Sequence, residues 1–459
     1  NPTLAVAAPD VTATPVALAT RGVGGVNTPL TALNPHAVWA TLVPEGQSLA
    51  ATVSVSGPDL GAGFVPVSAT LAAGLAGDPA AYVRAARPSL AGEQLPGVQA
   101  VAISADGLSL YAVNADRNML IVSNPQDLAT RAQFSAGSNG LPASALQGAT
   151  DVLVSGDGKN VYVADSTGQN IASFTRNTST GNLTYLGSTA VPGGYTQTLV
   201  ADANGTRLYA AGPAGVAELA RDAGTGALTL VAQRSAGVAG ITDLALSGDG
   251  NLLLVASRSG DTVTVLHTND LQGAVLQTLS GVALDGASGL ALVAGTAGAE
   301  HLYVTGKDGN RLTVFQRLAG STTFTQLQQL ANGVNGVNGL AGASGVVVTP
   351  NGAHVLVAAE AGNQIGVFKR QADGRLLFVQ RLANDVGGVS GLLAPAGLAV
   401  SADGARVFVA SQGLVGVNGG IVALDNLALA GAPAAPVQQT TTFTGVEQVT
   451  LSLASGDDN

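Results

Sequence analysis

The chain has 459 residues, of which 46% are hydrophobic, and a formal net charge of −10. This apolar content excludes a disordered chain, and the excess of 29 acidic over 19 basic residues argues against a nucleic-acid partner, because phosphate backbones are bound by basic surfaces. The sequence contains no cysteine, which excludes disulfides and thiolate metal sites, and it has no uninterrupted apolar run that would predict a transmembrane segment.

The N-terminal 79 residues are less regular than the rest. Residues 1–36 are rich in Ala, Thr, Val and Pro without a stable period, which predicts an extended N-terminal arm. Residues 37–79 include AVWATLVPEGQSLAATVSVSG, a strand–turn–strand pattern with Glu45 and Gly46 at its turn. This segment is interpreted either as a degenerate eighth blade or as strands that cap a ring, and the sequence leaves both open.

Residues 80–97, AAYVRAARPSLAGEQLPG, have the pattern of an outermost strand followed by an exit loop. They stand directly before the first complete repeat. We therefore expect this N-terminal strand to complete the last blade of a ring. Such an exchange would cover a sheet edge that otherwise invites aggregation.

A strand–turn–strand unit recurs from residue 98 onward and is clearest in ITDLALSGDGNLLLVASR at residues 241–258. Asp-Gly suits its turn because glycine adopts positive φ at little cost and Asp tolerates it. A degraded copy occupies residues 289–306. The turn residues are separated by intervals of 51, 47, 45, 102 and 52, the 102 spanning the degraded copy: Asp106, Asp157, Asn204, Asp249, Asn351 and Asp403.

A third and a fourth strand follow most of these hairpins, for example IASFTRN from Ile171 and LLFVQRL from Leu376. Four short strands per period of about 40 to 50 residues is the pattern of a propeller blade. The sequence therefore predicts an all-β fold, a seven-bladed β-propeller of four-stranded antiparallel blades over residues 80–445, with eight blades as the alternative. Ala, Val, Leu and the 62 glycines suit the crowded inner positions.

The sequence pattern changes after a Pro/Ala-rich linker at residues 430–436. Residues 446–459 are predicted to start a following β-rich segment, since apolar residues alternate up to an acidic end. The stretch is similar to the opening of the Gly/Asp-rich repeats of large secreted bacterial proteins, whose turns bind calcium. That similarity makes Asp457 and Asp458 candidate metal ligands.

The hairpins themselves carry a family resemblance. VYVAD at Val161, LYVTG at Leu302 and VFVAS at Val407 each follow a glycine-containing turn and lead into a third strand such as LTVFQR. In this the chain resembles the YVTN-type and lactonase-like seven-bladed propellers. The resemblance implies a seven-bladed ring of a kind usual in bacterial periplasmic or surface proteins, and it leaves function open because the architecture hosts enzymes and binding scaffolds alike.

Two carboxylates are the best candidates for a site. Asp151 in ATDVLVS and Asp243 in ITDLALS both precede a first strand, so both are expected to face one mouth of the central channel and to hold a hard cation such as calcium. The matching positions in three other blades are taken as Ser288, Ser344 and Ala396. The competing interpretation is that these side chains accept hydrogen bonds from backbone N–H groups at the strand starts.

The remaining candidates favour structural roles. The turn aspartates supply one carboxylate per turn, too few for a calcium loop, and are expected to be structural. His301 and His354 are expected to be solvated or to cap a strand start. No G-x-S-x-G nucleophile motif is present.

We therefore expect a non-catalytic module of an exported bacterial cell-surface or extracellular protein, with a periplasmic location as the alternative. Its role would be scaffold, adhesion or self-assembly, and its partners other protein chains, copies of itself or surface glycans. A third possibility is assembly by pairing of a terminal strand with a neighbouring chain. The enzymatic alternative is a lactonase-like hydrolase acting at the channel mouth through Asp151 and Asp243.

Overall fold

A computed structural model gives the structure of the protein and describes residues 97–426 except 236, 239, 386–388 and 414–418. Outside that range it describes seven short strands. The chain divides into two compact units, one of Asn1–Ala81 with Leu427–Asn459 and one of Tyr82–Asn426. No helix in the described part is long and apolar enough to span a membrane.

The first unit is described only at six strands, namely β1 (Thr3–Val6), β2 (Val16–Ala19), β3 (Ser48–Leu49), β4 (Ser54–Val55), β5 (Ala73–Gly74) and a last strand, Thr442–Phe443. β1 pairs antiparallel with β2, β3 pairs with β5, and β4 pairs in parallel with the last strand. The predicted arm at 1–36, the degenerate blade or cap at 37–79 and the segment at 446–459 lie almost wholly outside the described residues and stay predictions.

The second unit contains seven four-stranded antiparallel sheets, which confirms the seven-bladed prediction. Its N-terminal strand is β6 (Tyr82–Arg84). Blade 1 is β7 (Val98–Ile103), β8 (Leu110–Asn114), β9 (Met119–Ser123) and β10 (Thr130–Ser135). Blade 2 is β11 (Ala149–Val154), β12 (Asn160–Asp165), β13 (Asn170–Arg176) and β14 (Leu183–Ala190). Blade 3 is β15 (Thr198–Ala201), β16 (Arg207–Gly212), β17 (Gly215–Arg221) and β18 (Leu228–Arg234).

The next three blades follow the same order from axis to rim. Blade 4 is β19 (Ile241–Leu246), β20 (Leu252–Ser257), β21 (Thr262–His267) and β22 (Gln277–Ser280). Blade 5 is β23 (Ala287–Ala294), β24 (Glu300–Gly306), β25 (Arg311–Arg317) and β26 (Phe324–Ala331), with 3-10 helices at Val282–Leu284 and Thr296–Gly298. Blade 6 is β27 (Ala343–Val348), β28 (His354–Ala359), β29 (Gln364–Arg370) and β30 (Leu376–Ala383).

Blade 7 is built from two distant parts of the chain. Its inner strands are β31 (Pro395–Val400), β32 (Arg406–Ser411) and β33 (Gly420–Asn426), and its outermost strand is β6. β6 runs antiparallel to β33, with Tyr82 opposite Asn426 and Arg84 opposite Leu424. The first strand of blade 7 also contacts the first strand of blade 1. The ring is therefore closed by an N-terminal strand, as the sequence predicts.

The hairpin turns take the predicted form. In blade 2, Ser155 Oγ donates to Asp157 Oδ1 at 2.6 Å, and the N–H of Lys159 donates to the same oxygen at 3.1 Å. Gly158 has φ 68°, the left-handed conformation that favours glycine. The Asp side chain thus organises the turn, and Gly supplies its backbone conformation.

The cores lie between blades. Apolar side chains of facing sheets form clusters, for example Val161 and Val163 of blade 2 with Val113 and Leu120 of blade 1. The few aromatic residues are concentrated there, since the largest fully buried side chains are aromatic: Tyr111, Tyr162, Tyr209, Tyr303, Phe174, Phe324, Phe368 and Phe408. Each blade is thus stabilised mainly by its two neighbours.

Candidate channel site

The seven first strands surround the axis of the ring and contact one another in order. Their sequences contain only two charged residues, Asp151 in β11 and Asp243 in β19. No basic residue lies in these described strands. The inner wall is therefore neutral except for the two carboxylates singled out by the sequence.

The Asp151 carboxylate joins blade 2 to blade 3. Its Oδ2 accepts a hydrogen bond from the backbone N–H of Leu199 in β15 at 2.8 Å. Its Oδ1 accepts one from the N–H of Val152 at 2.8 Å. Both oxygens are thereby engaged, one across the blade interface and one within the strand.

The Asp243 carboxylate repeats this arrangement between blades 4 and 5. Oδ2 accepts a hydrogen bond from the backbone N–H of Leu290 in β23 at 2.7 Å, and Oδ1 accepts one from Leu244 at 2.8 Å. Hydrogen bonds to backbone N–H groups are the role that the structural interpretation gave these side chains. The structure adds that one donor of each pair belongs to the next blade.

Thr198 of blade 3 brings the two carboxyl groups together. Its Oγ1 lies 3.3 Å from Asp151 Oδ2 and 3.5 Å from Asp243 Oδ1. The hydroxyl carries one proton, so it donates to only one carboxylate at a time. A proton on either carboxyl group would allow a continuous chain of hydrogen bonds through Thr198.

Sequence analysis did not select Thr198. The signal was available, because TLVADANG at residue 198 aligns Thr198 with Asp151 and Asp243 in the repeat.

Burial raises the pKa of both carboxyl groups. Each residue keeps some accessible surface but lies deep inside the ring, where the charged form loses most of its hydration. Burial raises the pKa of Asp151 to about 6, against opposing hydrogen bonds from Leu199 and Val152. Burial also raises the pKa of Asp243 to about 7, and the Asp151 charge adds to the rise.

The strand register corrects the positions matched to these aspartates. Residues opposite Asp243 and Leu244 in β20 are Ala256 and Val255. In blades 5, 6 and 7 the residues equivalent to Leu244 are Leu290, Val346 and Leu398. The residue before each of these therefore occupies the position of Asp243. These residues are glycines, Gly289, Gly345 and Gly397, and the assignment to Ser288, Ser344 and Ala396 is wrong by one residue. A β-bulge precedes this position in the first strands of blades 2 and 4 as well as in these three blades, so all five share one register.

Glycine at these positions permits close approach of the next blade. A Cβ on Gly289 would lie 2.4 Å from the carbonyl oxygen of Ser344, and one on Gly345 would lie 2.3 Å from that of Ala396. The inner wall therefore uses two kinds of contact between blades, a carboxylate bridge at Asp151 and Asp243 and direct backbone packing at the glycines.

The donor set at the channel fits calcium poorly. Calcium takes six to eight oxygen ligands. The two carboxylates with Thr198 supply five side-chain oxygens, and all four carboxylate oxygens already accept N–H hydrogen bonds. No group of three or more His, Cys, Asp or Glu side chains suited to a metal occurs among the described residues.

The metal assignment at Asp151 and Asp243 stays a prediction. Asp457 and Asp458 lie outside the described residues.

A second set of contacts between blades involves the turn aspartates. An arginine that ends the third strand of one blade reaches the turn and the second-strand tyrosine of the blade before it. Arg176 Nη2 lies 2.7 Å from Asp106 Oδ2, and its Nε donates to Tyr111 Oη at 2.8 Å. Arg221 makes the same contacts with Asp157, at 2.9 Å, and Tyr162, at 2.8 Å.

These turn aspartates are structural, as expected. Burial raises the pKa of Asp157, but hydrogen bonds from Ser155 and Arg221 outweigh it and lower the pKa to about 2. The same balance, with Ser247 and Arg317, lowers the pKa of Asp249 to about 2. The contacts of these arginines were not predicted, although SFTR, VFQR and VFKR repeat at the ends of third strands.

The degraded copy in blade 5 uses other groups for the same contact. Its turn is a 3-10 helix without an aspartate, and Arg370 of blade 6 instead donates to the carbonyl oxygen of Ala294 at 2.9 Å. Arg370 Nη2 also lies 2.9 Å from His301 Nδ1. Burial and the Arg370 charge lower the pKa of His301.

His301 and His354 are both buried, at 0% and 1% exposure, so the expectation of solvated histidines is wrong. His301 is the second residue of β24, and His354 is the first residue of β28.

The chain matches a known protein family over more than half of its length. The family described as "Lactonase, 7-bladed beta-propeller" matches residues 101–241 and 291–417. The chain belongs to this family. The matched residues of this lactonase-family propeller include Asp151, Thr198 and the turn aspartates Asp106, Asp157 and Asp403. No curated protein sequence matches the chain.

Solved structures share the fold of this lactonase-family propeller at low identity. Hydrazine synthase of Kuenenia stuttgartiensis has a TM-score of 0.55 and 15% identity, over 75% of this chain and 99% of that chain. A putative 6-phosphogluconolactonase of Bacteroides fragilis NCTC 9343 has a TM-score of 0.50 and 14% identity, over 71% and 89%. The RRP9 WD40 repeats have a TM-score of 0.56 and 14% identity, over 73% and 95%. At these identities the likeness shows the fold alone.

Proposed function

We propose that the propeller is a non-catalytic module of an exported bacterial cell-surface or extracellular protein, in which it serves as a scaffold for adhesion and self-assembly. The observation that supports this most is the hydrogen bonding of the Asp151 and Asp243 carboxylates. Both oxygens of each carboxylate accept backbone N–H hydrogen bonds, and one donor in each pair belongs to the next blade. These carboxylates hold blades together.

The rim supplies surface for protein partners. Outermost strands β14, β18 and β30 carry the exposed apolar side chains Leu186, Val231 and Leu377. Charged residues make up only 10% of the chain, so such strands meet little charge repulsion. A strand of another chain would gain main-chain hydrogen bonds at such an edge and apolar contacts on its face. Copies of the same chain are the partners that fit the self-assembly role.

Sedimentation velocity over a range of concentrations tests self-assembly. We expect reversible association that weakens at least severalfold in Val231→Lys and Leu377→Lys. Leu108→Lys is the matched control, because Leu108 is exposed but lies in the hairpin turn between β7 and β8, the two inner strands of blade 1. A chain that stays monomeric at every concentration, or rim variants that associate like the unchanged chain, would contradict the proposal.

The cellular location has its own test. Antibody labelling of intact cells that produce the full-length protein is expected to detect the propeller at the surface. Labelling that requires permeabilised cells would contradict export to the surface, and labelling after outer-membrane removal alone would indicate the periplasm.

Lactone hydrolysis is the second candidate function. It is favoured by membership in the lactonase family and by two carboxyl groups with pKa values about 6 and 7 that converge on Thr198. One carboxylate would activate water as a general base while the other holds a proton. The test is turnover of a lactone panel that includes 6-phosphogluconolactone, with Asp151→Ala compared at equal circular dichroism. Turnover lost in the variant would support hydrolysis, and an inactive unchanged chain would remove it.

A further inference from the structure

A pocket of about 290 Å³ lies in blade 4. It is bounded by the linker that joins blade 3 to blade 4 and by strands β20 and β21. Five of its lining residues carry hydroxyl groups: Ser235, Ser257, Ser259, Thr262 and Thr264. At about 30 Å³ per water in the liquid, its volume equals roughly ten waters, which is room for one sugar ring and a few waters.

Thr264 is the group that points to a ligand. It is only 4% exposed and lies in β21 with its side chain lining the pocket. Its hydroxyl has no hydrogen-bond partner among the residues that the structure describes. The hydroxyl oxygen is not one of the fully buried side-chain atoms that lack a partner, so it opens to the pocket, where a polar group from outside the chain can bond to it.

The lining also restricts the chemistry of that group. No charged side chain lines the pocket. The nearest strand-end arginine, Arg234, directs Nη1 to the carbonyl oxygens of Leu271 at 2.8 Å and Gly273 at 2.6 Å. Arg258 on the following turn is paired with Asp308. A phosphate or carboxylate bound here would therefore meet no charged side chain among the lining residues.

A neutral polyol meets both requirements. Serine and threonine hydroxyls each donate and accept, as the hydroxyls of a sugar do. Val238 and Val255 add an apolar wall against which the C–H face of a sugar ring would pack. We propose that this pocket binds one neutral sugar residue, with the Thr264 hydroxyl hydrogen-bonded to a sugar hydroxyl. The pocket lining includes neither the exposed rim side chains nor the channel carboxylates, so this inference does not rest on the scaffold proposal.

Ligand-observed NMR and calorimetry on the full chain test this proposal. The probes are the methyl glycosides of glucose, galactose, mannose and N-acetylglucosamine, with glucose 6-phosphate as the charged comparison. We expect at least one neutral glycoside to bind and glucose 6-phosphate to bind at least tenfold more weakly. A trisaccharide ending in the sugar that binds separates two sources, since equal affinity indicates the end of a glycan and weaker affinity indicates a free sugar.

Two variants locate the binding. Thr264→Val removes the hydroxyl with almost no change of shape and is expected to raise Kd about tenfold or more. Ser235→Trp, at an exposed position of the pocket lining, is expected to block the pocket without disturbing the core. Thr278→Val is the matched control, because it makes the same change at an exposed position in β22 of the same blade.

Binding by none of the four glycosides would overturn the proposal and leave water as the partner of Thr264. Binding that survives in both Thr264→Val and Ser235→Trp would overturn it as well. Neither result would bear on self-association at the rim, which sedimentation measures separately.

Discussion

Arg221 at the end of the third strand of blade 3 donates to Asp157 in the hairpin turn of blade 2, with Nη2 2.9 Å from Oδ2. The guanidinium side chain is 1% exposed and the carboxylate 33%. The same guanidinium donates to Tyr162 Oη at 2.8 Å and to the carbonyl oxygen of Gly205 at 2.8 Å. One buried side chain thus joins the turn, the second strand and the neighbouring blade.

Arg221→Ala is expected to lower the free energy of unfolding by about 3 kcal/mol, because it leaves several buried polar groups without their donor. Denaturant unfolding measures this. Arg375→Ala is the control, since Arg375 pairs with Asp373 at the surface, where both side chains are about half exposed. Its expected effect is below about 1 kcal/mol. Equal effects of the two substitutions would show that the buried contact does not hold the blades together.

The channel carboxylates predict a pH dependence of stability. Their pKa values in the folded chain, about 6 for Asp151 and about 7 for Asp243, lie above the ordinary value of 3.8. Between about pH 4 and pH 7 the folded chain therefore holds protons that the unfolded chain has released. The stability from these protons is fully present below about pH 4 and is lost as the pH rises through about 7.

Asp243→Asn is expected to reduce this fall, because the amide does not titrate. The measurement is the free energy of unfolding at a series of pH values from 4 to 8, with the exposed Asp127→Asn as control. The control should keep the slope of the unchanged chain. A slope of the same size in Asp243→Asn would mean that other groups cause it.

The glycines of the inner wall predict a steric limit. Gly345→Ala would place a Cβ 2.3 Å from the carbonyl oxygen of Ala396 in the next blade, a backbone atom that cannot move without shifting the strand. We expect a loss of about 1–3 kcal/mol, the usual cost of overpacking. Gly156→Ala is the control, because its Cβ would meet only the Ala203 carbonyl oxygen at 3.9 Å. Thermal unfolding should separate the two, and a Gly345→Ala chain as stable as the control would show that the blades are not in close contact there.

The sequence predicted the parts of the fold that are encoded locally. Each hairpin contains its own turn chemistry, such as Ser155 and Asp157, and its own alternation, so seven copies could be counted even though the copy in blade 5 lacks an aspartate. Ring closure was predictable because YVR at Tyr82 resembles the outermost strands of other blades. The grouping of Asp151 and Asp243 around Thr198 is consistent with their shared position in the repeat.

The remaining features depend on how blades dock. Arg221 and Asp157 are 64 residues apart, and nothing in either segment specifies the other until two sheets are packed together. Gly345 and Gly397 are an exception, because each lies six residues before its turn residue, as Asp243 does, and this spacing was available in the sequence. The burial of His301 likewise follows from the degraded turn of blade 5 and from Arg370 of blade 6.

Closure of the ring by β6 underlies both the contacts between blades and the channel. Val83 faces Asp425 across the pairing of β6 with β33, and residues opposite each other in antiparallel strands lie within reach of a disulfide. The chain has no cysteine, so Val83→Cys with Asp425→Cys introduces the only two thiols.

After mild oxidation, electrophoresis without reductant measures where the disulfide forms. We expect a bond within one chain, seen as a faster-migrating monomer that returns to normal mobility on reduction. Val83→Cys paired with Asp403→Cys, in the turn of blade 7, should form no such bond. A disulfide that forms only between chains, or equally in both pairs, would contradict closure by the N-terminal strand.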